Sequence, residues 1–186
     1  MTIEYLKSGK PDAERAEDDA KTKIVVEETL KNIEINGDAA VRELSTKFDN
    51  YSPKNFKLSE KEISDLIATL SDRELSDIKF AQEQVRNFAQ AQRDSMLDIE
   101  IETIPGVILG HKNIPVQSVG CYVPGGKFPM VASAHMSIAT ATVAGVPRIV
   151  ACTPPFEGKP NAAVIAAMHL GGAPRTALEA QGISLF

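Results

Sequence analysis

The stretch from Val119 to Pro155 constrains the fold of this chain most strongly. A short apolar run there stops at Pro124-Gly125-Gly126. An Ala-rich segment without Gly or Pro follows over residues 131–144, and a second apolar run covers Arg148 to Cys152. This order predicts a strand, a glycine turn, a helix and a parallel strand, which is a βαβ unit of about 30 residues. We therefore expect an α/β protein.

The first 95 residues are predicted to form a helical half of about four helices. The first helix is expected from about Ala13 to Ile35, because its apolar residues repeat at helical spacing and Asn36-Gly37 supplies an end. A shorter second helix is expected to bury one apolar face, made of Val41, Leu44 and Phe48.

Two serine–glutamate pairs mark the starts of the next two helices. Ser59 with Glu62, and Ser71 with Glu74, match the capping box, in which each side chain satisfies a backbone N–H that the helix leaves unpaired. The first of these helices is expected to bury four apolar residues: Ile63, Leu66, Ile67 and Leu70. The second is expected to run to about Arg93 with a polar outer face that includes Arg86, and to bury Leu75, Ile78, Ala81, Val85 and Phe88.

At Met96 the hydrophobic period changes from helical to alternating. Leu97, Ile99 and Ile101 alternate with acidic residues, which predicts a half-exposed strand. Pro105-Gly106 predicts a turn, and Val107 to Leu109 is expected to form the second strand of a hairpin.

The chain beyond the βαβ unit predicts one more helix and then no complete element. The helix is expected over about Asn161 to Leu170 and to end at Gly171-Gly172. The segment Pro174 to Ala177 lacks the pattern of a strand. Parallel sheets are normally flanked by further strands, so we expect the chain to be incomplete at its C-terminal end.

Composition excludes several classes of protein. The formal net charge is −5 and the basic residues form no stripe, which argues against nucleic acid as a partner. No run of about 18 apolar residues predicts a membrane span, and the N-terminus lacks the apolar core of a signal peptide. The two cysteines, Cys121 and Cys152, lie in predicted buried strands, which fits a reducing cytoplasm.

The glycine turn is the best candidate for a binding site. Gly125-Gly126 lets the backbone approach a ligand closely, at the end of a strand and before a helix. The spacing differs from the GxGxxG fingerprint of dinucleotide sites, so a plain turn is the alternative. Tyr122 precedes the turn, where its ring or hydroxyl can meet a ligand, or where it is a core tyrosine with a paired hydroxyl.

Neither the charge distribution nor the spacing of the histidines identifies a ligand for the glycine turn. Beyond Thr103 five basic residues face two acidic ones, which suits an anionic ligand but equally suits a mostly buried segment. The three histidines, His111, His135 and His169, show no metal-ligand spacing, with or without the cysteines.

Residues 118–155 resemble the histidinol dehydrogenase family. The motif YVPGG, the following AGV and the trailing PP stand at the distances typical of that family. FDNY at residues 48–51, the helix KFAQEQVRNFAQAQ and the hairpin IPGVILGHKNIPV also look like its N-terminal half. The opening MTIEYLK and the motif GCYVPGG look closer to a subgroup that oxidises sulfopropanediol.

The resemblance implies a Rossmann-like fold, cofactors and a reaction. The implied domains are a helical region over 1–95 and an incomplete Rossmann-like NAD-binding domain over 96–186. Members are zinc-dependent, NAD-linked homodimers that oxidise a primary alcohol through an aldehyde to a carboxylate. Tyr122 is implied to contact NAD beside Gly125 and Gly126. Gln181 in AQGIS resembles a second NAD-contacting residue, although its preceding glycines are missing.

The family's zinc ligands, catalytic acid and base, and substrate-binding residues are expected beyond residue 186. The resemblance therefore implies an N-terminal fragment that is inactive alone, with histidinol or a sulfonated diol as the small-molecule substrate of the whole protein. An alternative of another class is a non-catalytic module for nucleotide binding or dimerisation.

Overall fold

The computed structural model describes residues 9–125, 127–173 and 175–176. The chain separates into two compact units between Ala40 and Val41. Of the helices in the described ranges, none combines the length and apolar character that a membrane span needs.

The first unit consists mainly of one long helix, α1 (Asp12–Asn36), as the sequence predicts. Pro11 precedes it, and Gly37 ends it with φ +53°, a conformation that favours glycine. No residue of α1 is buried. Its exposed surface carries lysine–glutamate pairs one turn apart, such as Lys21 with Glu17 at 2.7 Å.

The next three helices are α2 (Asp38–Asp49), α3 (Glu60–Ile67) and α4 (Asp72–Asp94). Both predicted capping boxes are confirmed. The backbone N–H of Glu62 donates to Ser59 Oγ, and the Ser59 N–H donates back to the Glu62 carboxylate; Ser71 and Glu74 repeat the arrangement.

The predicted buried faces of α2 and α4 are partly wrong. Phe48 and Phe88 are 58% and 69% exposed, whereas the polar residues Ser45 and Gln82 are buried. The reason is hydrogen bonding: the Gln82 side-chain amide donates to the Ala167 carbonyl at 2.8 Å. A buried polar group with a partner can thus set which face of a helix points inward.

An antiparallel hairpin follows, formed by β1 (Ile99–Ile104) and β2 (Val107–His111). Gly106 makes the turn with φ +84°. The hairpin is confirmed, but the half-exposed strand is not, because every residue of both strands is exposed. Its exposed apolar side chains are Ile99, Ile101, Ile104, Val107, Ile108 and Leu109.

The predicted parallel sheet is confirmed and has the order β3 (Ser118–Tyr122), β4 (Arg148–Cys152), β5 (Arg175–Thr176). β3 and β4 are in register from Ser118 opposite Arg148 to Tyr122 opposite Cys152. β5 corrects the expectation that residues 174–177 form no strand, since its backbone pairs with Val150 and Ala151. β5 is defined by its backbone pairing with β4, and such pairing cannot be predicted from the sequence of these two residues.

The helix that connects β3 to β4 is interrupted. It consists of α5 (Val131–Ala134), a π-helical turn (His135–Ala139) and α6 (Thr140–Ala144). Gly145 ends it in the left-handed conformation. After β4, α7 (Ala162–Gly171) begins at Asn161, whose side-chain oxygen accepts from the Val164 N–H.

The core of the second unit surrounds α7. This helix is apolar on nearly all sides, and its residues from Val164 to Met168 are fully buried. α3, α4 and α5 pack on it, and α4 also packs on α6. A helix that is hydrophobic all round is stable only in such surroundings.

We predict that Gln82→Ala lowers the free energy of unfolding by about 1–3 kcal/mol, because a buried hydrogen bond is lost. Gln84→Ala, on an exposed position of the same helix, is the matched control and should change little. Urea denaturation of both variants measures the difference. Equal effects of the two substitutions would contradict the role of Gln82.

We also predict that the stability falls as the pH drops below about 6.5. Burial, and then the charge of Arg86, lower the pKa of His135 in the folded chain. The unfolded state therefore binds the proton first, and protonation there draws the equilibrium toward unfolding. Urea denaturation at pH 7.5 and 5.5 measures this loss.

His135→Gln should reduce the loss between those two pH values, whereas His111→Gln, on the exposed strand β2, should leave it unchanged. An equal response of both variants would exclude His135 as the source.

Candidate functional site

The candidate site lies where β3 and β4 end side by side. Tyr122 closes β3 directly opposite Cys152, which closes β4. The pairing continues one residue further, because the Val123 N–H donates to the Cys152 carbonyl at 2.8 Å. In open α/β sheets, ligands bind at this carboxyl edge of the strands.

Tyr122 reaches solvent at this edge. Its side chain is 51% exposed, so the alternative of a core tyrosine is excluded. Partial burial raises the pKa of its hydroxyl, and the charges of Cys152 and Asp49 raise it further. The phenol therefore stays protonated at neutral pH, as a hydrogen-bond donor beside an exposed aromatic face.

The loop after Tyr122 packs tightly against the loop after β4. Gly125 is buried, and a Cβ added there would lie 3.0 Å from Thr153 Oγ1, closer than nearly all real contacts. The Met130 N–H donates to the Pro124 carbonyl at 3.2 Å and closes the loop. Gly125 thus allows a close approach of two chain segments beside Tyr122. Gly126 and Gln181, the other predicted cofactor-binding residues, lie outside the described residues.

Asp49, the last residue of α2, is an acidic group that the sequence alone did not connect with Tyr122. Its Oδ2 atom is buried and has no hydrogen-bond partner among the described residues, and burial raises the pKa of the carboxyl. Its charge acts on the Tyr122 hydroxyl. The only sequence signal was its place in the FDNY motif, which gives no hint of spatial neighbours.

The cysteines and histidines do not assemble a metal site in the described part of the chain. Cys121 is buried, and that burial raises the pKa of its thiol. The histidines lie in three separate elements: His111 in β2, His135 in the π turn and His169 in α7. Within the described ranges, no group of three or more His, Cys, Asp or Glu side chains is arranged to hold a metal ion.

Comparison with known proteins identifies the family. Residues 12–182 match the family model for histidinol dehydrogenase. The chain is 54% identical over 170 residues to a histidinol dehydrogenase homolog of Shouchella clausii, covering 91% of this chain and 40% of that protein. It is 42% identical over 174 residues to the sulfopropanediol 3-dehydrogenase of Ruegeria pomeroyi, covering 93% and 39%.

A solved structure agrees with these sequence matches. The crystal structure of histidinol dehydrogenase from Elizabethkingia anophelis superposes with a TM-score of 0.80 at 25% identity, covering 96% of this chain and 39% of that one. The fold is therefore of the same α/β type as the matching part of that enzyme. The chain is a member of the histidinol dehydrogenase family, as its YVPGG motif predicts, and spans about 40% of the length of the relatives named here.

We predict that Gly125→Ala destabilises the fold by about 1–3 kcal/mol, because the added methyl group overpacks the contact with Thr153. Thr153→Ala removes the opposing Oγ1 atom, so the double variant should recover part of the loss. A double-mutant cycle by urea denaturation measures the coupling. Strictly additive effects would show that the two loops are not in close contact.

Proposed function

We propose that this chain is the N-terminal part of an NAD-linked, zinc-dependent dehydrogenase that oxidises a primary alcohol through an aldehyde to a carboxylate. Membership of the histidinol dehydrogenase family, of which the named relatives are dehydrogenases, supports the reaction class. The observation that carries the proposal is the exposed Tyr122 at the carboxyl edge of a parallel sheet.

The described residues fit a nucleotide cofactor. Tyr122 offers an exposed ring for stacking and a protonated hydroxyl for donation. Gly125 keeps the neighbouring loop close to the strand ends. When bound, NAD supplies the acceptor for hydride. In this proposal Gly126 and Gln181 complete the same seat.

The described residues fit the proposed zinc less well than they fit NAD. The described residues contain no cluster of His, Cys, Asp or Glu that fits the ion. The proposal assigns the zinc ligands, the acid–base pair and the substrate contacts to chain beyond residue 186. This chain would then orient the cofactor and be inactive alone.

Two alcohols remain candidates for the whole protein. Histidinol is the first, because the family model and the solved neighbour both carry that name. A sulfonated diol is the second, because 42% identity to a sulfopropanediol 3-dehydrogenase extends over nearly the whole chain. The ratio of kcat/KM for the two alcohols, measured with the full-length protein, distinguishes them.

We further propose that the whole protein is a cytoplasmic homodimer with no nucleic acid or membrane partner. The apolar side chains exposed along β1 and β2 support an interface, since such surfaces are usually covered in an assembled protein. Light scattering of the full-length protein measures its mass. The alternative function, a non-catalytic module, would be supported if the whole protein bound NAD or dimerised but oxidised neither alcohol.

We predict that Tyr122→Ala weakens NAD binding by about five- to 150-fold, because stacking of a base on an aromatic ring contributes about 1–3 kcal/mol. Isothermal titration calorimetry of this chain with NAD measures the affinity. Tyr122→Phe should retain most of it if the ring contributes more than the hydroxyl.

Phe80→Ala, an exposed aromatic residue on α4, is the control and should leave NAD binding unchanged. Equal affinity of the wild-type chain and Tyr122→Ala would remove Tyr122 from the proposed cofactor seat.

A further inference from the structure

The hydrogen bonds that join β3 to β4 stop at Val123. The Val123 N–H donates to the Cys152 carbonyl at 2.8 Å. In a parallel ladder the Val123 carbonyl would accept in return from the residue two positions after Cys152. That residue is Pro154, which has no N–H, and Pro124 likewise cannot donate. Another contact therefore has to hold the two loops together just past Tyr122.

Gly125 and Thr153 supply that contact. A Cβ placed on Gly125 would lie 3.0 Å from Thr153 Oγ1 and 3.5 Å from the Pro154 carbonyl oxygen, so the backbone of one loop lies directly on the other. Gly125 is buried, and Thr153 is only 1% exposed. The contact is thus closed to solvent, although it lies close along the chain to the exposed Tyr122.

Hydrogen bonding does not explain why a threonine is buried here. The Thr153 hydroxyl donates to the carbonyl of the next residue, Pro154, at 3.4 Å, which is longer than an ordinary O–H···O hydrogen bond. Threonine is mostly found at protein surfaces, and burial of a hydroxyl with so weak a partner costs free energy. The Oγ1 atom instead faces the backbone of Gly125.

The loop that carries Thr153 is well fixed. Thr153 directly follows the last paired residue of β4, and the rings of Pro154 and Pro155 fix the backbone angle φ of the next two residues. Beyond them Phe156 and Lys159 exchange two backbone hydrogen bonds of 2.9 and 3.2 Å. Thr153 is therefore a fixed support against which the glycine loop lies.

The glycine loop needs such a support. It is closed by the bond from the Met130 N–H to the Pro124 carbonyl at 3.2 Å, and glycine gives its backbone more freedom than other residues have. Tyr122 stands at its start with a half-exposed side chain, so the position of the backbone largely decides where the ring lies. Groups that bind a ligand are effective only when the residues around them hold them close to the binding geometry.

Resting on the proposed function, we infer that Thr153 is a positioning residue of the cofactor seat. Its Oγ1 atom sets the distance between the two loops, and thereby the place of the Tyr122 ring against which NAD binds. Thr153 itself does not touch the cofactor, because its side chain is closed to solvent. It acts through Gly125 and Tyr122.

Calorimetry of the full 186-residue chain with NAD tests this role. Thr153→Ala removes the Oγ1 atom and should weaken NAD binding about three- to tenfold, which is the range of a contact between neighbouring groups. Thr153→Ser retains the oxygen and should bind NAD as the wild type does. Equal losses of affinity in Thr153→Ala and Thr153→Ser would overturn the inference.

A matched control separates positioning from a loss of stability. Gln82→Ala also removes a buried polar side chain, whose hydrogen bond joins α4 to α7. At a temperature where both variants are folded, Gln82→Ala should leave NAD binding unchanged. If it weakened binding as much as Thr153→Ala does, stability alone would account for the effect and the inference would fall.

The NMR signals of the Tyr122 ring give a readout that needs no ligand. The chain has three tyrosines, so the signals that disappear in Tyr122→Phe identify this ring. Thr153→Ala should shift these signals, whereas Gln82→Ala should not. Unshifted Tyr122 signals in Thr153→Ala would overturn the inference and leave the proposed cofactor seat untouched.

Failure of the proposed function gives a different pattern. A wild-type chain that does not bind NAD overturns the proposed cofactor seat and the inference with it. NAD binding that falls in Tyr122→Ala but keeps its wild-type strength in Thr153→Ala overturns the inference alone. Because Thr153 acts through Tyr122, the double variant should bind NAD no more weakly than Tyr122→Ala does, and additive losses would contradict this route.

Discussion

The second unit depends on how the carbonyl groups at the ends of its helices find partners. An α-helix leaves its last four carbonyls without intrahelical donors, and burial makes that deficit expensive. Two arginines from α4 supply donors: Arg86 donates to the Leu170 and Gly171 carbonyls at 2.8 and 3.1 Å, and Arg93 donates to the Val143 carbonyl. Gln82 adds a hydrogen bond to the Ala167 carbonyl further inside α7. Cationic groups at helix C-termini are also favoured by the helix dipole. One helix thereby fixes the C-terminal ends of two others, α6 and α7, which follow β3 and β4 respectively.

The sequence predicted the elements of this arrangement much better than the contacts between them. Capping boxes, the turn at Gly106 and the end at Gly145 are local patterns, because a few adjacent residues satisfy their own backbone. Gln82 and Arg86 look like solvated residues in the sequence, since their partners lie more than 80 positions away. Phe88 shows the opposite error, because its hydrophobicity predicts burial whereas the side chain is exposed. The π turn has no sequence signature either, and β5 is defined by backbone pairing.

The candidate site shows the same division. Tyr122 and Gly125 could be predicted because a strand, a glycine turn and a helix follow one another directly, which places them at the carboxyl edge of the sheet. Asp49 could not, because no periodic pattern connects the end of α2 to the end of β3. Its unpaired oxygen is a property of the packed chain, visible only once the neighbours of the residue are known. The family resemblance covered the FDNY segment but attached no chemistry to it.

The π turn at residues 135–139 has a consequence for the helix that contains it. In a regular helix each residue turns the side-chain direction by about 100°, so one extra residue per turn rotates everything after it by that amount. The interrupted helix therefore presents different sides before and after the π turn: α5 packs on α7, whereas α6 packs mainly on α4 and meets α7 through the Thr142 hydroxyl, which donates to the Gly171 carbonyl at 3.2 Å. The segment therefore consists of two short helices on one axis, whose side-chain directions differ by the rotation that a single inserted residue introduces.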